Sequence, residues 1–319
     1  MKASKYWCLG IAALTFAACS NDEENLTSSP VEARITAGVN TPETRAINDQ
    51  WEQDAIGVMV TEASASNMKE LYKNVKYTTT ANTASAANFT APEGQGIFFQ
   101  DAGETVTFSA YAPYQASAAN ALPGTEGVID DSTADQSTRD KQKAFDYIYA
   151  SGATASRSNS TVQFSGDNAF FHKMARLVII VKTSAQDGFT AEQVTSGTYS
   201  LSGLNHSGQF NMTTGIAQAT GATTTDDWSL TDKSLKTEGE TEQVTFTSIL
   251  YPQTLGSALT FKAVIDGQTY TNNNLQPTLE TGKSSTITIT VKKTGLVVSG
   301  CTVSDWGSGN TYNGDATMQ

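Results

Sequence analysis

Apolar and polar residues alternate along much of the chain with a period of two. The alternation is clearest in four segments, whose apolar positions are Val106, Phe108 and Ala110; Val244, Phe246 and Leu250; Leu259, Phe261, Ala263 and Ile265; and Ile287, Ile289 and Val291. Because successive side chains of a β-strand point to opposite faces of its sheet, each segment predicts a strand with one face in a core. The run Leu177 to Val181 is apolar throughout and predicts a strand buried on both faces.

Helical periodicity is nearly absent. The best helical candidates, Met68 to Tyr72 and Phe170 to Arg176, are too short to carry an architecture. Turn residues separate the strand segments, and Asp266-Gly267 predicts a tight hairpin. The chain is therefore expected to be all-β and to form β-sandwiches with long connections.

Length and charge narrow the picture. The chain has 319 residues, which is enough for two domains of ordinary size. The polar stretch from Thr183 to Gly197 is the candidate boundary, so we expect an N-terminal sandwich at residues 46–185 and a C-terminal sandwich at residues 186–319. The formal charge of −12 argues against a nucleic-acid partner, which needs clustered Lys and Arg.

The N-terminus has the layout of a secretory signal. Lys2 and Lys5 precede an apolar stretch from Trp7 to Ala18, and this stretch is too short to span a bilayer comfortably. We therefore predict a signal peptide at residues 1–18.

A lipidation site follows directly. Phe16-Ala17-Ala18-Cys19 resembles a bacterial lipobox, in which the thiol of Cys19 receives the lipid. Ser20 to Glu24 resembles the acidic signal that directs Bacteroidetes lipoproteins to the outer face of the outer membrane. The prediction is a surface-exposed lipoprotein precursor, and an ordinary signal peptide with an incidental cysteine is the alternative.

Candidate catalytic and metal-binding residues are few. Cleavage of the signal peptide would remove Cys8, and lipidation would block the thiol of Cys19. Cys301 would then be the only free thiol and could form no intramolecular disulfide. Together with His172 and His206, it gives too few members for a Cys/His metal cluster or a Cys-His nucleophile pair. No Gly-x-Ser-x-Gly elbow occurs. We therefore predict no enzyme, no cofactor and no metal site, and interpret His172 as structural.

Acidic residues and tryptophans leave other options open. Three acidic groups could bind calcium or act as glycosidase carboxylates: Asp130-Asp131, Asp226-Asp227 and the run Glu238, Glu240 and Glu242. The simpler interpretation is that they are solvated charges in loops. Trp51, Trp228 and Trp306 could form a platform on which a sugar stacks. The alternative interpretation is that they pack in the core. A permanently lipid-anchored surface protein that binds a host or other glycan is thus the alternative function.

Several segments, taken in order, resemble the fimbrillin-like proteins of Bacteroidales. They are Thr44-Arg45-Ala46, Trp51, Ile56 to Met59, Val106 to Tyr114, Phe145 to Ala150, Phe171 to Leu177, Leu250 to Thr254 and Val291 to Gly307. The resemblance covers essentially the whole chain from Cys19 onward. It implies two transthyretin-like β-sandwich domains, a role as a pilus subunit or adhesin, other fimbrillin subunits as partners, and no enzymatic activity.

In such pili, the resemblance implies that an arginine-specific surface protease cuts a lipidated precursor, that the first strand leaves, and that a neighbour's strand fills its place. The sequence contains a segment that fits this scheme, since apolar residues hold every second position on one face, namely Val31, Ala33, Ile35, Ala37 and Val39. A mere tether between lipid and domain would need no such face. These residues are the candidate displaced strand.

The predicted cut lies after Arg45 and leaves Ala46 as the new N-terminus. Pro42 cannot extend a central strand, and the polar residues around it favour an exposed loop that a protease can enter. Arg34 is a less favoured site because it lies inside the alternating segment. Residues 19–45 would then be a lipidated pro-segment, holding the precursor at the outer membrane until cleavage releases the mature form into extracellular fimbriae.

The candidate donor strand is the C-terminal stretch from Gly295 to Trp306. Alternation places Val297, Cys301 and Val303 on one face. A last strand of its own domain is the alternative interpretation of this stretch.

Overall fold

The alternating segments form strands, which are numbered β1 to β24 along the chain. The structure is a computed structural model that describes residues 29–39, 50–183, 189–238 and 241–306. The four clearest segments correspond to β9 (Thr105–Ala112), β20 (Thr241–Leu250), β21 (Leu259–Ile265) and β23 (Lys283–Lys292). Strands far outnumber helices in these ranges, so the prediction of an all-β sandwich fold is confirmed.

Two sheets share the first hydrophobic core. The larger sheet has the strand order β13 (Phe171–His172), β11 (Ile148–Ser156), β9, β4 (Ala55–Glu62) and β5 (Val75–Thr78). The smaller sheet has the order β12 (Thr161–Phe164), β2 (Arg34–Gly38) and β7 (Ala86–Phe89). Val106 and Phe108 of the larger sheet lie in the same core as Ile35 and Phe164 of the smaller one. The N-terminal part of the chain is therefore a β-sandwich.

A second core lies between two further sheets. One has the order β19 (Lys233–Glu238), β20, β14 (Ala175–Lys182), β23 and β24 (Gly295–Asp305). The other has the order β18 (Trp228–Ser229), β15 (Thr198–Ser202), β21 and β22 (Gln268–Leu275). The hairpin predicted at Asp266-Gly267 is confirmed, because Ile265 pairs with Gln268 and both turn residues have positive φ, at 52° and 74°.

β14 is central in its sheet, but it is not buried on both faces. Leu177, Ile179 and Val181 are buried in the second core, whereas Val178 and Ile180 on the other face are only half-buried. The prediction from the continuous apolar run is therefore wrong for the outer face.

A third, aromatic core joins the two halves. The sheet of β10 (Val128–Ser132), β16 (Ser207–Asn211) and β17 (Ile216–Ala219) pairs a strand from the first half of the chain with two from the second. In this core the rings of Tyr147 and Phe210 stack at 4.4 Å, and burial raises the pKa of Tyr147 and Tyr251. Gly208 is required there, because a Cβ atom at this position would lie 2.2 Å from the Tyr251 ring.

Short elements complete the fold. β1 (Val31–Glu32) pairs with β8 (Phe98–Phe99), β3 (Trp51–Glu52) pairs with β6 (Asn82–Ala84), and the helices are α1 (Met68–Leu71), α2 (Arg139–Phe145), α3 (Ala191–Ser196) and a 3-10 turn at Gly166–Asn168. The helical candidate at Phe170 to Arg176 instead forms β13 and the start of β14, because these segments pair with β11 and β20, respectively. Within the described ranges, none of the helices has the length and apolar character needed to cross a membrane.

The described residues from Val31 onward form one compact unit. The first core draws its buried residues from positions up to Phe170, and the second draws them from Ala175 onward. β14, which falls inside the expected N-terminal range 46–185, therefore contributes to the second core. The division into two domains stays a prediction, and these cores favour a boundary close to residues 171–174.

Candidate functional site

β2 occupies the middle of its three-stranded sheet. It runs parallel to β12 and antiparallel to β7, so Ile35 lies opposite Val162 on one side and Phe89 on the other. Just before it, the N–H of Ala33 donates to the carbonyl of Ile97 at 2.8 Å. We call the channel between β12 and β7 the β2 groove. Without β2, both flanking strands would present unpaired backbone groups.

One face of this segment is seated in the first core. Ala33, Ile35 and Ala37 are each 2% exposed and Val39 is 7% exposed, while Val31 is half-buried against the same core. Burying a Val or Ile side chain stabilises the fold by about 1.5–3 kcal/mol. The alternating segment is therefore an integral strand of the sandwich in this structure.

Four aromatic rings surround the centre of the groove. The Trp51 ring lies edge-on to Phe89 at 4.9 Å and to Phe170 at 5.2 Å, and Phe164 lies 5.6 Å from Phe170. The indole Nε1–H of Trp51 donates to the carbonyl of Ala37 at 3.0 Å. Trp51 thus contacts β2 directly, although it follows β2 in the chain and would remain after a cut at Arg45.

The candidate cleavage and lipidation residues differ in what the structure shows of them. Arg34 has an exposed side chain, but its backbone N–H donates to the carbonyl of Ser160 at 2.8 Å and the residue pairs with Thr161 in the sheet. A protease that needs extended, free backbone cannot bind there while β2 is in place. Arg45, Ala46 and Cys19 lie outside the described residues.

The C-terminal stretch forms β24, an edge strand whose sheet partner is β23. Cys301 lies opposite the buried Ile287, but a register shift follows, so Val297 lies opposite Thr290 on the outer face. Val303 shares the side of Cys301, whereas Val297 is 46% exposed. The prediction that Val297, Cys301 and Val303 share one face is wrong, because a β-bulge exchanges the two faces between them.

A buried tryptophan fixes the end of β24. Trp306 is 5% exposed, its ring stacks on that of His172 at 4.0 Å, and its backbone N–H donates to the carbonyl of Gly282 at 2.6 Å. His172 in turn contacts Asp146 through Nδ1 at 2.8 Å, and both of these side chains are fully buried. This geometry agrees with a structural histidine that positions the C-terminal strand.

Trp51, Trp228 and Trp306 do not form a common platform in this structure. Trp51 and Trp306 are buried in different cores, and Trp228 is half-buried with its Nε1–H donating to the carbonyl of Ala134 at 2.6 Å. Trp228 lies 4.6 Å from His206, whose pKa burial lowers to about 4. Stacking on a sugar would need exposed faces that Trp51 and Trp306 lack.

The acidic groups are dispersed. Asp130 is exposed and accepts a hydrogen bond from Gln209 at 2.7 Å, and Asp227 forms an exposed ion pair with Lys262 at 2.8 Å. The side chains of Glu238, Glu240 and Glu242 lie outside the described residues. Among the side chains that the structure describes, no group of three His, Cys, Asp or Glu converges on a metal position.

Solved structures of other bacterial proteins share this fold. A crystal structure of a Bacteroides ovatus protein, described provisionally as a cell adhesion protein, has a TM-score of 0.71 and 27% identity, and the match covers 88% of this chain and 100% of that one. A Bacteroides uniformis protein with the same description has a TM-score of 0.64 and 27% identity, with 87% and 99% covered.

Sequence comparison shows the family of the chain. A Bacteroides uniformis protein, provisionally named fimbrium subunit Fim1C, is 31% identical over 323 residues, and the match covers 97% of both chains. The family model described as fimbrillin-like matches residues 44–306. That range begins beside Arg45 and ends at Trp306, so it contains the flanks of the β2 groove and all of β24. The chain therefore belongs to the fimbrillin-like family.

Proposed function

We propose that the protein is a structural subunit of a surface pilus that mediates cell adhesion and is assembled by cleavage after Arg45 and exchange of β2 for a strand of a neighbouring subunit. The central position of β2 between β12 and β7 carries this proposal, because a strand in that place cannot leave without creating a site for another. The relative named as a fimbrium subunit and the family match support the pilus role.

The energetics favour replacement over an empty groove. Loss of β2 would expose the core around Ile35 and Val39, at about 1.5–3 kcal/mol for each of these two side chains. Each buried backbone group that loses its partner costs a further ~1–3 kcal/mol. A second strand that supplies apolar side chains and backbone hydrogen bonds would recover both contributions. Cleavage would thereby convert a stable precursor into a subunit that gains free energy by assembling.

In this scheme the lipid on Cys19 is a temporary attachment. It would hold the precursor at the outer membrane with its groove filled, and an arginine-specific surface protease would then sever lipid and β2 together. Mature subunits would be partners for one another in extracellular fimbriae. The chain's own residues would act structurally rather than catalytically.

A permanently anchored glycan-binding protein has less support. Burial of Trp51 and Trp306 removes two of the three tryptophans that such a platform would use. Trp228 is the remaining candidate, and loss of polysaccharide retardation on Trp228→Ala in affinity electrophoresis would favour that function.

Limited trypsin digestion of the folded precursor tests the proposal. We expect a new N-terminus at Ala46 and SDS-resistant ladders, both abolished by Arg45→Ala and retained by Arg34→Ala. The two variants are matched, since each removes one arginine from the N-terminal segment. Cleaved protein that remains monomeric would overturn assembly by strand exchange, and an unchanged digest of Arg45→Ala would overturn the cleavage site.

A further inference from the structure

A small cavity lies beside Trp51, close to the start of β4 and the end of α2. Its volume is about 160 Å³, and the residues around it include Asp54, Lys143 and Asp146. Trp51 adds aromatic surface to the same wall. Charged side chains therefore border a space large enough for a small chemical group.

The charges at this cavity do not balance. Lys143 Nζ lies 2.6 Å from Asp54 Oδ1, and the Arg139 guanidinium lies 3.2 Å from Glu52. These two ion pairs use both cations and two of the three carboxylates. The third carboxylate belongs to Asp146, which is 1% exposed and forms no ion pair with a Lys or Arg of the described residues. A buried carboxylate is costly unless a positive group lies beside it.

His172 does not supply that positive charge. Its Nδ1 lies 2.8 Å from Asp146 Oδ1, and both side chains are fully buried. A charged imidazole donates from both ring nitrogens, but Nε2 of His172 has no hydrogen-bond partner among the described residues. The neutral ring with its proton on Nδ1 avoids a second buried and unsatisfied N–H. Asp146 Oδ2 also has no hydrogen-bond partner in the described part of the chain.

A primary ammonium group has the properties that this site lacks. It carries one positive charge and three N–H donors on a single nitrogen. An aromatic neighbour such as Trp51 is also favourable for a cation. Calcium fits less well, because it takes about six to eight oxygen ligands and Asp146 Oδ2 is a single uncommitted oxygen.

We infer that this cavity is a binding site for a primary ammonium group, which donates a hydrogen bond to Asp146 Oδ2. The site itself goes beyond the proposed function, and only one of its two sources rests on that function. The first source is the α-amine of Ala46 that cleavage after Arg45 would release. The second is an amine from outside the chain.

The α-amine of Ala46 is the source within reach. Ala46 precedes Gln50, one of the residues around the cavity, by four positions, which span at most about 14 Å. Before the cut, the nitrogen of Ala46 is an uncharged amide. Cleavage would therefore create the ammonium group that pairs with Asp146, and the cavity would bind the new N-terminus only after the cut.

Titration of uncut precursor that carries Arg45→Ala tests the site. The probe is ethylammonium chloride, followed by tryptophan fluorescence because Trp51 borders the cavity. Tetramethylammonium chloride is the matched control, since it has the same charge but no N–H to donate. We expect a saturable change with ethylammonium alone, and Trp51→Phe should remove it.

Two variants assign the response to Asp146. Asp146→Asn has nearly the same shape and keeps an oxygen for His172, and it should weaken ethylammonium binding at least ten-fold. Asp140→Asn is the matched control, because Asp140 is an exposed carboxylate on α2, the helix that precedes Asp146. The comparison of the two ammonium ions needs no variant, so it stands even if Asp146→Asn fails to fold.

Trypsin-cleaved protein distinguishes the two sources. Acetic anhydride modifies accessible amines, and mass spectrometry measures the extent of acetylation at Ala46. If this α-amine binds in the cavity, it should react at least ten-fold more slowly in folded protein than in urea-unfolded protein. Asp146→Asn should remove that difference.

Each result supports or overturns one part of the inference. Equal responses to both ammonium ions, or equal ethylammonium affinity in Asp146→Asn, would overturn the site. Acetylation of Ala46 at the unfolded rate would overturn the N-terminus as the source, and ethylammonium binding would then support an amine from outside the chain. A digest without an N-terminus at Ala46 would overturn the proposed cleavage and this source together, while the titration of uncut precursor still decides the site.

Discussion

Replacing Ile35 with alanine should weaken the precursor and leave the assembled fibre unchanged. Ile35 is 2% exposed and lies between Val162 and Phe89, so its truncation leaves a cavity in the first core. Ile→Ala changes of this kind cost about 2–5 kcal/mol. With a urea m-value of roughly 3 kcal/mol/M, a loss of ~3 kcal/mol lowers the unfolding midpoint by about 1 M.

The assay compares two states of the same variant. Urea unfolding, followed by far-UV circular dichroism, is measured on precursor that carries Arg45→Ala and so cannot be cut, and heat resistance in SDS is measured on ladders from cleavable protein. Val162→Ala is the matched control, because Val162 is fully buried opposite Ile35 but remains in the mature chain, so it should weaken both states. Ladders of Ile35→Ala that dissociate as readily as those of Val162→Ala would show that residue 35 stays in the fibre, and would refute the reasoning.

Three further predictions follow from single side chains. Cleavage after Arg45 should shift tryptophan emission to longer wavelength, because departure of β2 removes the hydrogen bond from Trp51 to Ala37 and exposes the indole ring to water. Trp51→Phe should remove the shift. An unshifted spectrum after complete cleavage would contradict this prediction. Trp306→Ala should speed ladder formation several-fold in a gel time course by freeing the end of β24, and slower assembly would mean that the anchor aids donation. His206 is neutral when folded because its pKa is lowered to about 4 from 6.5, so the unfolded state binds more protons between these values and stability should fall as pH drops through this range. His206→Gln should flatten that part of the pH dependence of the urea midpoint, and an unaltered dependence would contradict the assignment.

Alternation identified the strands because each has one face in a local core. The apolar positions of β9, β20, β21 and β23 coincide with buried residues for this reason. The hairpin at Asp266-Gly267 could also be predicted from the sequence, because a turn with two positive φ angles accepts few residue types. By contrast, sheet pairing overrode weak helical periodicity at Phe170 to Arg176.

The surroundings of β2 could not be obtained in the same way. Alternation shows that Ile35 and Ala37 face a core, but not that β12, more than a hundred residues later, flanks them. Trp51 and Phe170 carry no periodic signal that would place them at this groove. Long-range pairing of this kind depends on the whole chain and is invisible in a local pattern.

The error at β24 has a similar cause. Counting by two through Ser299 and Gly300 assumes a regular strand, and one extra residue in a bulge moves Val297 to the other face. The sheet that joins β10 to β16 was also unforeseen, because it pairs strands from opposite sides of the expected domain boundary.

Hydrogen exchange at the flanks of the β2 groove tests the central claim most directly. The backbone amides of Ala86–Phe89 and Thr161–Phe164 are measured by mass spectrometry in uncut precursor, in freshly cleaved monomer and in ladders. Exchange of one strand for another predicts protection in the precursor, loss of protection on cleavage and its return in the ladders. Flanks that stay protected in cleaved monomer, or stay unprotected in ladders, would contradict it.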